Sequence, residues 1–217
     1  FAFNSALESV ASPCKQIVMS AVEHTAVLEA AEHYHLSKNL PLKTIGVDSK
    51  GHLDLDALDK ALSDAPSFVS IMFANNETGV VFPMEAITEC CKRHNALLHI
   101  DGIQGAGKLR IDVREISYDY LSLSAHKFHG PKGIGALYIR AESPKSPLIR
   151  GHQESDLRGG TENVAGIVGM GAAAGVVLGD LNTDNERLSR LRNKLEMTIL
   201  AGVPESRVNG DVNQRLC

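Results

Sequence analysis

The stretch Tyr120-Leu-Ser-Leu-Ser124-Ala-His-Lys127 begins with five residues that favour a β-strand and continues directly into two ionisable side chains. Upstream, the run Leu97-Leu-His-Ile-Asp101 has the same form, a short and largely apolar segment that ends on a carboxylate. Near-continuous apolar runs of this length are typical of strands that helices cover on both faces of a parallel sheet. The sequence therefore predicts an α/β protein in which chemically active residues stand at strand ends.

Further strand and helix patterns alternate along the chain on both sides of these two runs. Only residues 126–133 separate the last two strand candidates, which is short for a crossover helix, so we expect the last strand to run antiparallel. The alternation predicts a three-layer α/β/α fold with right-handed crossovers. The strand candidates are residues 16–21, 42–47, 68–74, 97–101, 120–124 and 134–140, and the helix candidates are residues 25–34, 55–62 and 84–93.

The last third of the chain is predicted to be helical after a polar, glycine-rich loop at residues 151–163. Residues 164–178 are apolar but fall short of the ~20 residues that span a bilayer. Their glycine spacing also occurs in packed membrane helices, but we favour a helix packed closely inside a soluble core. Residues 181–200 show the amphipathic pattern of a linker helix. The expected domains are 1–180, a large domain, and 181–217, the linker helix and the start of a smaller domain.

The composition is that of a soluble globular protein. Of 217 residues, 43% are hydrophobic and 22% are charged, with a net charge of −4; such a mildly acidic surface argues against nucleic-acid and anionic-membrane partners. The cysteines fit neither a disulfide framework nor a CxxC site, which favours a reducing compartment, the cytoplasm or an organellar matrix. The histidines show no metal-ligand spacing, so no metal is expected. The residues concerned are Cys14, Cys90, Cys91 and Cys217, and His33, His35, His94, His99, His129 and His152.

Polar and ionisable residues follow four of the predicted strands. Because ligands bind beyond the carboxyl ends of strands in an open parallel sheet, these residues are expected to share one site. Lys127 is the candidate nucleophile toward a carbonyl, since burial or nearby positive charge lowers the pKa of a lysine amine. Asp101 suits the partner of a protonated pyridine nitrogen. Gln104 and Asn76 are candidate donors to a ring oxygen, and His24 offers a planar ring that stacks on a cofactor.

Each of these residues also has a simpler explanation. A lysine at the start of a loop is commonly solvated, Asp101 could cap the following turn, and a histidine at a helix start is commonly a cap. Ser124 and Thr161 carry hydroxyl groups that suit a phosphate. Because several such residues stand at successive strand ends, we favour a shared cofactor site over separate structural roles.

Five motifs occur in an order and at spacings that resemble one family. They are Glu-His-Thr-Ala-Val-Leu at 23–28, Asn-Asn-Glu-Thr-Gly at 75–79, His-Ile-Asp-Gly-Ile-Gln at 99–104, Ser-Leu-Ser-Ala-His-Lys-Phe-His-Gly-Pro-Lys-Gly-Ile-Gly-Ala-Leu-Tyr at 122–138 and Arg-Gly-Gly-Thr-Glu-Asn at 158–163. Together they resemble the cysteine desulfurases, the NifS/IscS-like members of the class V aminotransferase group, and the similarity covers nearly the whole chain. Selenocysteine lyase is a close relative of this group.

The resemblance implies a type I pyridoxal 5'-phosphate (PLP) fold with a seven-stranded-type sheet and an active site at a homodimer interface. By position, Lys127 is the lysine that holds PLP as a Schiff base, His24 stacks on the ring and Asp101 pairs with the pyridine nitrogen. The remaining implied contacts are Gln104 and Asn76 near the ring oxygen, Ser124 and His126 at the phosphate, and Thr161 at the phosphate of the neighbouring subunit.

The implied reaction converts L-cysteine to L-alanine. Lys127, once freed from the cofactor, helps to move the α-proton, and an enzyme cysteine takes the sulfur as a persulfide for an acceptor protein in iron–sulfur cluster or thio-cofactor synthesis. The family's phosphate loop is expected before Phe1, and its catalytic cysteine and carboxylate-binding arginine after Cys217. The chain is therefore expected to be a fragment that is inactive alone. Residues Gln153–Asp156 also lack an arginine that the family usually has there.

Two kinds of alternative stay open. Within the same fold, a selenocysteine lyase acting on L-selenocysteine, or another class V enzyme, fits the same motifs. A non-catalytic scaffold homologue belongs to a different class, and the truncation and the missing arginine motivate it. The intact Lys127, Asp101, Gln104 and His24 argue against a scaffold, which has no need of a complete set of cofactor residues.

Overall fold

A computed structural model describes residues 1–217 and contains one six-stranded sheet of order β2-β1-β3-β4-β5-β6. The first five strands are parallel, and β6 pairs antiparallel with β5, as its short connection predicted. All six predicted strands are present, so this chain supplies six strands to a sheet that was expected to be of the seven-stranded type. The strands are β1 (Gln16–Ser20), β2 (Leu42–Ile45), β3 (Ser67–Met72), β4 (Leu97–Asp101), β5 (Tyr120–Ser124) and β6 (Gly135–Ile139).

Helices connect the parallel strands, and their capping residues explain where they begin. Asp54 accepts a hydrogen bond from the Ala57 N–H, and His24 accepts one from the Ala26 N–H, which satisfies N-terminal amides that have no partner within the helix. The predicted bounds of α3 and α4 are confirmed, whereas α2 continues beyond residue 34 to Lys38. The helices are α1 (Ala2–Glu8), α2 (Thr25–Lys38), α3 (Leu55–Leu62), α4 (Met84–Arg93), the single turn α5 (Gln153–Asp156) and α6 (Val164–Gly202).

The core lies on both faces of the sheet, which confirms the layered α/β arrangement. One cluster of 19 buried residues packs α3 and α4 against one face, and a second cluster of 12 packs α1 and α2 against the other. His99 ties the central strands together, since its two ring nitrogens lie 2.8 Å from the hydroxyls of Ser70 on β3 and Ser122 on β5. Burial lowers the pKa of His99 to about 3, so this imidazole is neutral. Buried hydrogen bonds therefore join β3, β4 and β5 below the strand ends.

The long helix α6 departs from the prediction. It joins the two segments that were predicted to be helical, residues 164–178 and 181–200, in one continuous element. Only 6% of its most apolar 18-residue window is buried, so the prediction of a helix packed closely inside a core is wrong for this chain. By length and composition, with a mean hydropathy of 1.8, α6 could cross a membrane, although core helices of soluble proteins have similar values.

The segment after α6 returns to the sheet. The Val81 N–H donates to the Gln214 carbonyl at 3.0 Å, and the Leu216 N–H donates to the Gly79 carbonyl at 2.8 Å. Residues 203–217 therefore lie beside the loop that follows β3, next to the strand ends.

Candidate active site

A cavity of about 440 Å³ lies at the carboxyl ends of β3, β4 and β5 and the start of α2. This is where an open parallel sheet is expected to bind a ligand. Seven of the eight predicted site residues line it, namely His24, Asn76, Asp101, Gln104, Ser124, His126 and Lys127. Thr161, the eighth, is exposed and does not line this cavity.

Asp101 forms the buried acidic side of the cavity. It is the last residue of β4 and is 7% exposed. The Ile103 N–H donates to its Oδ1 at 3.0 Å, and Oδ2 has no hydrogen-bond partner within the protein. Burial raises the pKa of this carboxyl, and the Ile103 N–H and the nearby His24 lower it in part. A cationic N–H group in the cavity would therefore find one free carboxylate oxygen in a low-dielectric setting.

Lys127 and His126 sit on a single 3₁₀ turn, Ala125–Phe128, that follows β5 directly. The Gly130 N–H donates to the Ala125 carbonyl at 2.8 Å, and His129 at φ 68° ends the turn. The Lys127 side chain is exposed at the cavity wall. The turn presents the amine to a ligand without enclosing it.

Ser124, the last residue of β5, forms the polar corner beside this turn. Its Oγ lies 2.9 Å from Nδ1 of His126. A hydroxyl and an imidazole held together in this way offer adjacent hydrogen-bonding groups, which suit a phosphate.

Three further residues of the cavity are held by local hydrogen bonds. His24 accepts from the Ala26 N–H at 3.2 Å through Nδ1, so its role as a helix cap and its place at the site are compatible. The Asn76 side chain donates to Glu77 at 2.7 Å. The Lys108 ammonium donates to the Gln104 backbone carbonyl at 3.2 Å and lies 3.4 Å from its side-chain oxygen. These contacts fix the side chains before any ligand is bound.

Sequence reasoning missed four residues that also line the cavity, Met72, Ala74, Glu77 and Ile103. Each belongs to a strand end or to the loop directly after it, so the strand-end pattern could have found them. That pattern selects polar residues and therefore passes over Met72, Ala74 and Ile103, whereas Glu77 stands inside the quoted motif at 75–79 and was given no role. Glu23 was quoted as part of a strand-end motif but was given no role, and the structure places it, 5% exposed, behind this site.

The residues of the cavity fit PLP. Asp101 offers a free buried carboxylate oxygen to a pyridine N–H, Lys127 offers an amine to an aldehyde, and Ser124 with His126 offers hydrogen bonds to a phosphate. The volume falls within the range of small-molecule sites. Two other cavities have volumes of about 600 and 950 Å³. In the first, both oxygens of the Asp48 carboxylate are already bound by Lys50 and His52, and the second is lined mainly by apolar residues.

A second group of potential ligand atoms lies away from the cavity, where no metal was expected. Asp59, Cys90 and His94 bring a carboxylate oxygen, a thiol and an imidazole nitrogen within 4.8 Å of one another. The Arg93 guanidinium donates to the same Asp59 oxygen at 2.6 Å. This permanent positive charge opposes a cation there, and the cluster is explained as a carboxylate that accepts from three donors.

The family model for class-V aminotransferases matches residues 1–216. The chain belongs to the class-V aminotransferase family. Curated relatives of this family member include a cysteine desulfurase of Sinorhizobium fredii, 48% identical over 202 residues, and cysteine desulfurase NifS of Azotobacter vinelandii, 42% identical over 203 residues. Each alignment covers 93% of this chain but only 52% and 50% of the respective relative. The chain thus spans about half the length of the curated relatives it matches.

Solved structures of class-V relatives share the fold. A NifS-like protein superimposes with a TM-score of 0.92 at 36% identity, covering 100% of this chain and 59% of that protein. The structure described as SspA in complex with cysteine has a TM-score of 0.72 at 36% identity, covering 79% of this chain and 51% of that one. These similarities confirm the predicted family and fold class.

Proposed function

We propose that this class-V chain is the PLP-binding part of a cysteine desulfurase. The observation that carries the proposal is that Lys127 and Asp101 line one cavity, an amine and a carboxylate with a free oxygen, together with Ser124 and His126. The relatives named cysteine desulfurase support this choice among class-V reactions.

Each residue of the site has a defined task in this proposal. When bound, PLP supplies an electron sink for the carbanion that forms at the substrate α-carbon. Asp101 keeps the pyridine nitrogen protonated, since a buried carboxylate stabilises a neighbouring cation. Ser124 and His126 bind the phosphate, and His24 covers the ring face. The Lys127 amine binds the cofactor covalently and, once released, moves the α-proton of the substrate as a general base.

The substrate in this proposal is L-cysteine, which leaves as L-alanine after its sulfur passes to an enzyme thiol and then to an acceptor protein. The sulfur would serve iron–sulfur cluster or thio-cofactor synthesis. Selenocysteine lyase is the alternative within the family. We also propose a homodimer, in which Thr161 meets the partner's cofactor, and a location in the cytoplasm or an organellar matrix. The free thiols of Cys14, Cys90 and Cys91 are compatible with a reducing compartment.

The test is the visible absorption spectrum of the purified chain with PLP, recorded beside Lys127→Ala and Lys132→Ala. Lys132 is an exposed lysine five residues further on and serves as the matched control. We expect a covalent lysine–PLP band in the wild type and in Lys132→Ala, and none in Lys127→Ala. Borohydride should bleach the band and leave the cofactor attached irreversibly to the chain. A band that survives in Lys127→Ala would contradict the assignment. Its absence from all three proteins, and again from the full-length protein with the expected phosphate loop, would favour the scaffold alternative.

A further inference from the structure

Glu23 is a buried carboxyl group at the turn between β1 and α2. One of its oxygens, Oε1, accepts a hydrogen bond from the Ser20 hydroxyl at 2.5 Å and another from the Met72 N–H at 2.8 Å. Its other oxygen, Oε2, is buried without a hydrogen-bond partner in the protein. Burying a carboxyl costs free energy unless its polar atoms are satisfied, so this side chain calls for an explanation.

The contact with Met72 occurs where the β1–β3 pairing stops. The ladder between these strands ends at Met19 and Ser70, and β1 then turns away toward α2. The Glu23 carboxyl takes the place of the missing backbone acceptor for the Met72 N–H. The side chain thus supplies a hydrogen bond to β3 at the point where β1 and β3 separate, and the cavity lies beyond this point.

Glu23 also connects two cavity-lining residues that lie far apart in sequence, His24 and Asp101. On one side it directly precedes His24. On the other side, Met72 is the register partner of Asp101, and the next N–H, that of Phe73, donates to the Asp101 carbonyl at 2.8 Å. A carboxyl that holds Met72 therefore fixes the turn bearing His24 relative to the strand end bearing Asp101.

We propose that Glu23 is a positioning residue that sets the separation of His24 and Asp101 and thereby the slot in which the cofactor ring is held. This inference rests on the proposed PLP site. Glu23 does not line the cavity, so it acts through its two neighbours and touches neither cofactor nor substrate.

The protonation state of Glu23 indicates which substitution preserves this role. Burial raises the pKa of the carboxyl to about 8, and the charge of Asp101 adds to the rise, while the hydrogen bonds from Ser20 and Met72 lower it in part. Near neutral pH the group is therefore mainly a neutral acid, with one acceptor oxygen and one hydroxyl. A glutamine has the same shape, keeps the acceptor and replaces the hydroxyl with an N–H donor.

Gln16 provides a control for a purely structural role. It lies at the other end of β1, is 2% exposed, and likewise ties β1 to β3 and to α3 by side-chain hydrogen bonds. Its amide donates to the Ala61 carbonyl at 2.9 Å and to the Ser67 hydroxyl at 2.7 Å. Removing Gln16 breaks a comparable buried contact far from the strand ends that form the cavity.

The experiment compares Glu23→Ala, Glu23→Gln and Gln16→Ala with the wild type, each reconstituted with PLP. The readouts are the PLP dissociation constant and the circular dichroism of the cofactor band, which reports how asymmetrically the ring is held. We expect Glu23→Ala to bind PLP about tenfold more weakly, because His24 and Asp101 are no longer held at a fixed separation, with a reduced or inverted dichroism signal. Glu23→Gln restores both, and Gln16→Ala lowers only the melting temperature.

Three results would overturn the inference. If Glu23→Ala gives the same dissociation constant and dichroism as Gln16→Ala, Glu23 stabilises the fold without positioning the site. If Glu23→Ala does not fold, Ser20→Ala takes its place, because it removes one of the two hydrogen bonds to Glu23. Ser20→Ala must then reduce or invert the dichroism signal, and a signal equal to that of the wild type rejects the proposal. If the wild type itself gives no lysine–PLP band, the proposed function fails and this inference fails with it.

Discussion

At the residue scale, the buried Glu23 carboxyl makes stability depend on pH in a way that one substitution removes. The pKa of Glu23 is raised from an ordinary value near 4.5 to about 8, so between these values the folded chain binds more protons than the unfolded chain. Stability therefore falls as pH rises through this window, by at most about 1.4 kcal/mol per pH unit for one proton.

Urea denaturation of the wild type and of Glu23→Gln at pH 5, 6.5 and 8 checks this. We expect the free energy of unfolding of Glu23→Gln to rise relative to that of the wild type as pH rises, because glutamine has no proton to lose. Gln16→Ala is the control, and it should lower stability by the same amount at every pH. If the free energies of unfolding of the wild type and Glu23→Gln differ by the same amount at all three pH values, the carboxyl is already ionised at pH 5.

The predicted residues that the structure brings together in one cavity are those set by strand ends. Asp101 and Lys127 could be found because a polar side chain directly after an apolar run must lie at the edge of the sheet. The exposure of Lys127 could not be predicted from the sequence, because it depends on how a 3₁₀ turn orients the side chain. The contacts of Glu23 could not be predicted either, because they join the turn after β1 to a backbone amide 49 residues away.

At the element scale, the turn α5 holds the most unusual backbone of the chain. Glu154, Ser155 and Asp156 are consecutive non-glycine residues with φ of 49°, 56° and 64°. The left-handed region costs roughly 1–2 kcal/mol for a residue with a side chain, and glycine avoids most of this cost. The gain is offset in part by the greater freedom of glycine in the unfolded chain.

Ser155→Gly is therefore expected to raise the free energy of unfolding by about 0.5–1 kcal/mol, measured by urea denaturation. Ser63→Gly is the control, because Ser63 is also an exposed serine but has φ −70°. It should lower stability, since glycine relieves no strain there, gains freedom in the unfolded chain and loses the hydrogen bond from the Ser63 hydroxyl to the Lys60 carbonyl. A loss of stability in Ser155→Gly as well would show that this turn is not strained.

The same distinction between local and distant causes explains which elements were predictable. The bounds of α3 and α4 follow from local signals, such as the cap by Asp54 and the proline at the start of α4. Helix α1 has no side-chain cap and was not predicted. It is held by burial of Phe3 and Leu7 in the core, which no pattern in seven residues reveals.

At the scale of the whole molecule, the exposed apolar surface of α6 is the main departure from the prediction. Val164, Val168 and Leu178 are 65%, 65% and 75% exposed, although the sequence pattern predicted a helix inside a core. Hydropathy along a chain indicates that a segment favours a non-aqueous environment, but it does not indicate which surface the segment packs against. The sequence therefore identified the helix correctly and its packing partner incorrectly.

The segment 203–217 is held to the sheet in part by one histidine. The Nδ1 of His52 lies 3.0 Å from Asp48, and its Nε2 lies 2.8 Å from Asp211. Only a protonated imidazole donates from both nitrogens. The hydrogen bond to Asp211, followed by that to Asp48, raises the pKa of His52 above its ordinary 6.5. The stabilisation is thus fully present below about 6.5 and is lost as pH rises through the raised value.

We expect hydrogen exchange of residues 203–217, corrected for intrinsic rates, to show less protection at pH 8.5 than at pH 6. His52→Gln should abolish this difference, because glutamine cannot become a cation between two carboxylates. His33→Gln is the control, since His33 is exposed and has no hydrogen bond; it should behave as the wild type. Equal protection at both pH values in the wild type would mean that His52 contributes nothing to the attachment of the segment, which the backbone bonds to Gly79 and Val81 and the Arg215–Glu196 ion pair then hold.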